Sequence, residues 1–253
     1  HKDVVRDWTA AQVVSLQGSR SPLDFASNGM ARKFWNLLTL NKKEGTCDYT
    51  FEALDGSQVT QMCRELTTIY VSGWPNGTAS SNNLPGPDLA DSPHDSVPKK
   101  VKQLFRTQHF QDRKQYERLC RGVEDETIDY FRPIIADADA GHGGLTTVMK
   151  LTQMFVEAGA AGIQIEDQKH VRKRLRSSGK VLCSIEEQIS RLKASRLQCD
   201  IMQTETVLVA RTGAKSARYI DCDRSPLDQN FVLGRTPSTP TPIRFDDLVK
   251  KSL

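Results

Sequence analysis

The chain has no long apolar run, no Cys-x-x-Cys pair and few aromatic residues, and each absence closes a class of explanation. No stretch approaches eighteen uninterrupted apolar residues, so a membrane-spanning helix is excluded. Its six cysteines (47, 63, 120, 183, 199 and 222) stand singly. That spacing reads as reduced thiols of an intracellular protein, not as a disulfide framework or a zinc site. Neither an initiating Met nor a charged-then-apolar leader precedes His1, so the segment reads as part of a larger gene product. Aromatics make up 7% of the chain, and none interleaves the basic run of Arg172, Lys173, Arg174 and Arg176 to stack bases. That run, with Lys99, Lys100 and Lys102, therefore reads as solvated surface behind the net charge of +4, and nucleic acid is not an expected partner.

What is present is an α/β pattern. The apolar fraction of 38% suffices for a buried core in 253 residues. Residues 1–65 read as mostly helical, with Met30, Phe34, Leu37 and Leu38 at helical spacing and a second amphipathic segment over 59–66. The first strand signal is TTIYVSGW at 67–74, followed by a polar stretch, 75–98, too long for an ordinary connector and suggestive of a functional loop. Helix returns over 97–118. From Pro133 the rhythm is βα: PIIADADAGHGG, a helix over 145–158 with Val148, Leu151, Phe155 and Val156 as its core stripe, GIQIEDQ, a Ser184/Glu187 capping box opening a helix with Ile185, Ile189 and Leu192 on one face, then TVLVART. Past Arg211 the pattern fades, and TPSTPTP at 236–242 reads as a linker.

Strands that end in functional groups describe either a (βα)-barrel rim or a doubly wound sheet. Here the ends carry Ser72, Gly73 and Trp74, then Asp137 and Asp139, then Glu166 and Asp167, and lastly Arg211. Asp137, Asp139, Glu166 and the loop residue Asp88 offer hard oxygens suited to magnesium, which takes few direct carboxylates and keeps several waters. An isolated D-x-D more often caps a helix or pairs with lysine. Two acidic strand ends beside Ser-Gly-Trp and an arginine favour a site. Arg211 could clamp a carboxylate with its planar fork. GHGG at 141–144 lacks the spacing of a nucleotide-binding motif.

The segments YVSGWPNGTASSNNLPGPDLADSPHDSVP, YFRPIIADADAGHGGLTTVMKLTQMFVEAGAAGIQIEDQ, GKVL, ISRL and VLVART together resemble isocitrate lyase of the plant and fungal type, in register from about Thr50 to Gly234. The resemblance implies a (βα)8 TIM-type barrel of the isocitrate lyase/phosphoenolpyruvate mutase kind, about half of it present: an N-terminal helical segment (1–65), a partial barrel (66–235) and a linker with tail (236–253). It implies magnesium, or alternatively manganese, cleavage of isocitrate to succinate and glyoxylate in the glyoxylate cycle, a tetrameric assembly, and a glyoxysomal, peroxisomal or cytoplasmic location. The terminal Lys-Ser-Leu is not the Ser-Lys-Leu address. By position, Ser72, Gly73 and Trp74 match the glyoxylate-binding segment, Asp137 the inner metal ligand, and Asp88, Asp139 and Glu166 the acids that hold the metal's waters. Arg211 matches the carboxylate-binding arginine and Tyr70 a candidate base.

The chain departs from the family pattern in three places. KHVRKRLRSSGKVL stands where the family has K-K-C-G-H before G-K-V-L, one residue short, so that Arg174 and Arg176 occupy the cysteine and histidine positions. Arginine cannot serve as a general acid near neutral pH, and in this stretch only His170 titrates there. Cys183 is a poor substitute, set in a strand-to-helix junction. Gly213 replaces an aspartate, and the family's later substrate strands have no counterpart after Gly234, which predicts open sheet edges. The expectation is a lyase-family chain impaired in turnover. The alternatives are a working isocitrate or methylisocitrate lyase when full length, and a non-catalytic partner of an active paralogue.

Overall fold

The computed structural model describes residues 5–17, 25–76, 92–123, 127–170 and 180–234. Its elements run α1 (Ala10–Gln17), α2 (Ala26–Glu44), β1 (Thr50–Glu52), α3 (Gly56–Glu65), β2 (Thr68–Val71), a single turn α4 (Gly73–Pro75), α5 (Ser96–Cys120), β3 (Ile134–Asp137), α6 (Leu145–Ala158), β4 (Gly162–Glu166), β5 (Val181–Leu182), α7 (Ile185–Ile201), β6 (Val207–Arg211), β7 (Tyr219–Ile220) and a 3-10 turn (Gln229–Phe231). The main sheet is parallel, in the order β1-β2-β3-β4-β6, and β5 pairs with β7 in a separate two-stranded ribbon.

The order in the main sheet never reverses. Each strand is laid beside its predecessor after a helical crossover, which is the progression of a barrel wall; a doubly wound sheet would switch direction from its first strand. Among the described residues neither edge strand, β1 or β6, has a second neighbour in this sheet.

Strand periodicity separates two faces. Ile69, Val71, Ile134, Ala136, Ile163 and Ile165 point to the helices and join Val97, Val101 and Leu104 of α5 and Val148, Leu151 and Phe155 of α6 in one buried cluster. The register pairs Glu52 with Tyr70, Asp137 with Gln164, and Glu166 with Arg211, so these groups share the opposite, barrel-interior face. At the N-terminal end of that face, Phe34 and Met30 of α2 pack with Ile135, Val207 and Val209 and close the floor. Gly162 is small because Phe34 lies 3.1 Å from where its Cβ would stand.

Several local readings hold. The helix over 145–158 ends in Gly159 at φ 97, where a left-handed residue is required, and the Ser184 hydroxyl accepts the Glu187 N–H as an N-cap. Others do not. The first strand of the sheet is β1, inside the segment read as helical, and TFE is too short to carry a periodicity signal. The strand at 67–74 stops at Val71, and Ser72 turns the chain into α4. Leu38, read at helical spacing, and Ile185 and Ile189, read as one apolar face, are exposed. On α7 the buried face is Arg191, Ala194, Ser195 and Cys199. Polar groups can take those positions because each finds a partner: Ser195 hydrogen-bonds Thr152 of α6 at 2.8 Å, and Arg191 binds backbone carbonyls.

Candidate functional site

The C-terminal ends of β2, β3, β4 and β6 bring Tyr70, Ser72, Gly73, Asp137, Asp139, Glu166 and Arg211 together. Asp137, Asp139 and Glu166 are 4%, 2% and 3% exposed, which is unusual for carboxylates and demands organised partners. Asp137 Oδ1 accepts the Asp139 N–H at 2.8 Å, and its Oδ2 faces the Gly73 N–H at 3.4 Å. Asp139 adopts φ 48, and its carbonyl accepts the Glu166 N–H at 2.8 Å, which locks the β3 and β4 ends together. Glu166 Oε1 accepts from Gln168 Nε2 at 3.0 Å. Arg211 reaches both Asp137 and Glu166 at 3.9 Å, with its side chain 45% exposed. Burial works to lower the Arg211 pKa, but the Glu166 and Asp137 charges outweigh it and the net shift is upward.

Gly73 has a steric reason to be glycine: a Cβ there would lie 2.5 Å from Asp139 Oδ2. The turn around it is fixed by every polar group of Ser72. Its N–H donates to Glu52 Oε1 at 3.1 Å, its hydroxyl accepts the Trp74 N–H at 3.1 Å, and its carbonyl accepts Asn76 Nδ2 at 2.6 Å. Burial raises the Glu52 pKa, partly offset by the bonds from Ser72. Trp74 sits on this turn with its ring half exposed.

The Tyr70 hydroxyl accepts from Gln164 Nε2 at 3.0 Å and hydrogen-bonds Asp137. Burial first, then the Asp137 charge, pushes the phenol far above its usual value of 10. At neutral pH Tyr70 therefore holds its proton.

Asp88, Arg174 and Arg176 lie outside the described residues. His170 is described, with its ring centroid 5.7 Å from that of His142, whose Nε2 is 3.4 Å from Asp139 Oδ2. Cys183 is buried, and burial pushes its thiol up to about 11. Gly213 donates its N–H to Asp167 Oδ1 at 2.8 Å.

Sequence reasoning missed Glu52, Gln164 and Asn76, which hold the site residues without standing in any recognisable motif. The only signal was parity: Gln164 is two residues before Glu166 on a strand, so both face the same way.

Among the described residues no group of three or more His, Cys, Asp or Glu stands close enough together to hold a metal ion by itself. Magnesium does not need one, since it keeps several waters and few direct carboxylates. Three buried carboxylates converging on one rim are hard oxygen donors, and their chemistry fits such a hydrated cation.

The profile of the isocitrate lyase family matches residues 1–252. This chain belongs to the isocitrate lyase family. It is 45% identical to an isocitrate lyase of Kluyveromyces lactis over 100% of its own length and 47% of the relative's, and 48% identical to one of Pinus taeda over 91% and 41%. It is also 39% identical to a mitochondrial 2-methylisocitrate lyase of Saccharomyces cerevisiae, over 92% of this chain and 42% of that one. The chain thus spans about half the length of the curated relatives it matches, and the family match runs further in both directions than Thr50 to Gly234. Among solved structures, an oxaloacetate acetylhydrolase (TM-score 0.57, 24% identity, 77% of this chain and 57% of that one) and a 2,3-dimethylmalate lyase of the PEP mutase/isocitrate lyase superfamily (TM-score 0.55, 20% identity, 78% and 57%) share the fold. These neighbours share the fold of the α/β wall, over 57% of their own chains.

Proposed function

We propose that this chain carries the metal- and glyoxylate-binding half of an isocitrate lyase site, and that its turnover of isocitrate is impaired. The observation that carries the reading is the convergence of Asp137, Asp139, Glu166 and Arg211 beside the Ser72–Gly73 turn. Asp137 would hold Mg2+ (or Mn2+) directly, with Asp139, Glu166 and Asp88 holding its waters. Bound there, the cation supplies Lewis-acid stabilisation of the oxyanion that develops in retro-aldol cleavage. Arg211 pairs with the carboxylate of a small hydroxy- or oxo-acid. Tyr70 presents a held proton to the same face. The Ser72–Gly73 backbone, braced by Glu52 and Asn76, forms the wall against which glyoxylate lies.

The succinate half must be protonated as it leaves. The family's acid position is taken by Arg174, and the neighbouring histidine position by Arg176. Loss of a general acid costs about 10²- to 10⁴-fold in rate. Purified chain with Mg2+ and isocitrate, in an assay coupled to glyoxylate, is expected to show glyoxylate binding but no turnover near family rates. Glyoxylate production at those rates overturns the impairment, and absence of Mg2+-dependent glyoxylate binding overturns the site.

The open β1 and β6 edges favour a second reading in which the rest of the barrel comes from further chain or from a partner subunit. In that form the protein would be an isocitrate lyase of the glyoxylate cycle, a methylisocitrate lyase, or a non-catalytic member of a tetramer, in a glyoxysome, peroxisome or the cytoplasm. Co-purification with a full-length lyase supports the partner form, and a monodisperse lone monomer counts against it.

A further inference from the structure

Asp167 follows the acid assigned to the metal, and its side chain points elsewhere. Its Oδ2 accepts the Thr212 hydroxyl at 2.7 Å and its Oδ1 the Gly213 N–H at 2.8 Å. Its own N–H donates to the Arg211 carbonyl at 3.3 Å, and its carbonyl accepts the Cys183 N–H at 2.8 Å. Asp167 therefore holds the chain as it leaves Arg211, at the Arg211 carbonyl, the Thr212 hydroxyl and the Gly213 N–H, and joins the ends of β4, β5 and β6.

That grip has consequences because β6 is an edge strand. Its last residues, Ala210 and Arg211, are exposed, and the Arg211 guanidinium meets its two carboxylate neighbours only at 3.9 Å. Among the described residues no closer side-chain bond fixes the fork, so the path of the backbone that carries it sets where it stands. Beyond Glu166–Arg211 the ladder gives no further register pair to hold the chain. The carboxylate of Asp167 takes over where the ladder ends, with two charge-assisted bonds. Thr212 in turn accepts the Ala214 N–H at 3.1 Å, so the same hydroxyl shapes the turn that follows. Gly213 is buried, and its N–H is the donor that closes the clasp.

We propose that Asp167 is a positioning residue: a carboxylate clasp that holds the 211–213 backbone so that Arg211 faces the substrate carboxylate. It touches neither metal nor substrate, and its place beside Glu166 is what lets one strand end serve both the metal and the arginine. The inference rests on Arg211 as the carboxylate clamp of the proposed site.

The test compares wild type with Asp167→Ala, Asp167→Asn and Thr212→Val. Amide hydrogen exchange without ligand is read over 211–216 and, as an internal control, over β4. Mg2+ affinity and glyoxylate affinity in saturating Mg2+ are measured separately by calorimetry. In Asp167→Ala, exchange over 211–216 is expected to rise, and glyoxylate binding to weaken about tenfold or more, while Mg2+ binding stays within about twofold. Asp167→Asn keeps one acceptor and should recover part of the loss. Thr212→Val should show a smaller loss, non-additive with Asp167→Ala. Unchanged exchange over 211–216 in Asp167→Ala overturns the clasp. Parallel weakening of Mg2+ and glyoxylate binding also overturns it, because that is what general loosening of the rim would give. Wild type that binds Mg2+ but no glyoxylate refutes the clamp role of Arg211, and with it the positioning claim, whereas intact wild-type binding with an unaffected Asp167→Ala refutes the positioning claim alone.

Discussion

Replacing Gly73 by Ala asks one methyl group to occupy space already held by a buried carboxylate. The new Cβ would lie 2.5 Å from Asp139 Oδ2 and 3.0 Å from both Cγ and Oδ1. Comfortable contact needs about 3.5 Å, so one of the partners must retreat by about 1 Å. Asp139 has little room to yield: it is 2% exposed, sits at φ 48, and its backbone N–H and carbonyl are tied to Asp137 and Glu166. Overpacking of this kind costs about 1–3 kcal/mol, which in a chain of this size lowers Tm by about 2–10 °C. The displacement also moves Asp139, and through it Asp137, away from the place where the proposed site would hold its cation. Thermal denaturation with and without millimolar Mg2+ reads both effects, since a ligand that binds only the folded form raises Tm in proportion to its occupancy. Wild type should gain stability with Mg2+ and lose it again on chelation, while Gly73→Ala should start lower and gain little. A variant with wild-type Tm and a wild-type response to Mg2+ refutes the argument that Gly73 is glycine on account of Asp139.

Phe155→Ala removes the largest of the fully buried side chains between α6 and the sheet, and denaturant unfolding should show a loss of about 3–5 kcal/mol. Arg191→Met leaves the Gln168 carbonyl, bonded at 3.1 Å, and the Glu166 carbonyl without their buried donor; the expected loss is about 2–3 kcal/mol, and an unshifted midpoint would contradict it. Gly213→Ala meets only ordinary contacts, the nearest being Leu182 Cδ2 at 3.5 Å, so its stability should stay within about 1 kcal/mol of wild type by the same unfolding measurement. Cys183, with a folded pKa pushed up to about 11 against an ordinary 9.0, keeps its proton as the pH climbs. Its contribution to stability is full below pH 9 and fades as the pH rises toward 11. At pH 8 a thiol reagent should modify exposed Cys47 in the native protein and spare Cys183 until denaturant is added. Rapid native modification of Cys183 would show that its burial is not maintained in solution.

The sequence by itself determined the elements whose signal is local: α6 with its stripe and Gly159 stop, the Ser184 cap, and the strands around Asp137, Glu166 and Arg211. It also put Asp137, Glu166 and Arg211 at the ends of their β-runs, the positions from which the proposed site is built. The tertiary structure decided what depends on contacts between segments far apart in the chain. Glu52 braces Ser72 only because β1, three residues long, is carried beside β2. Tyr70 holds its proton because its hydroxyl is buried and the Asp137 charge is brought to it, against the smaller opposing pull of the bond from Gln164. Ile185 and Ile189 are exposed because α7 turns Arg191 and Ser195 inward, where α6 and the β4 end supply their partners. The unbroken order β1-β2-β3-β4-β6 separates a barrel wall from a doubly wound sheet, and no single strand encodes it. Periodicity fixes which residues of one element share a face. Only the packing of elements against one another fixes what that face meets.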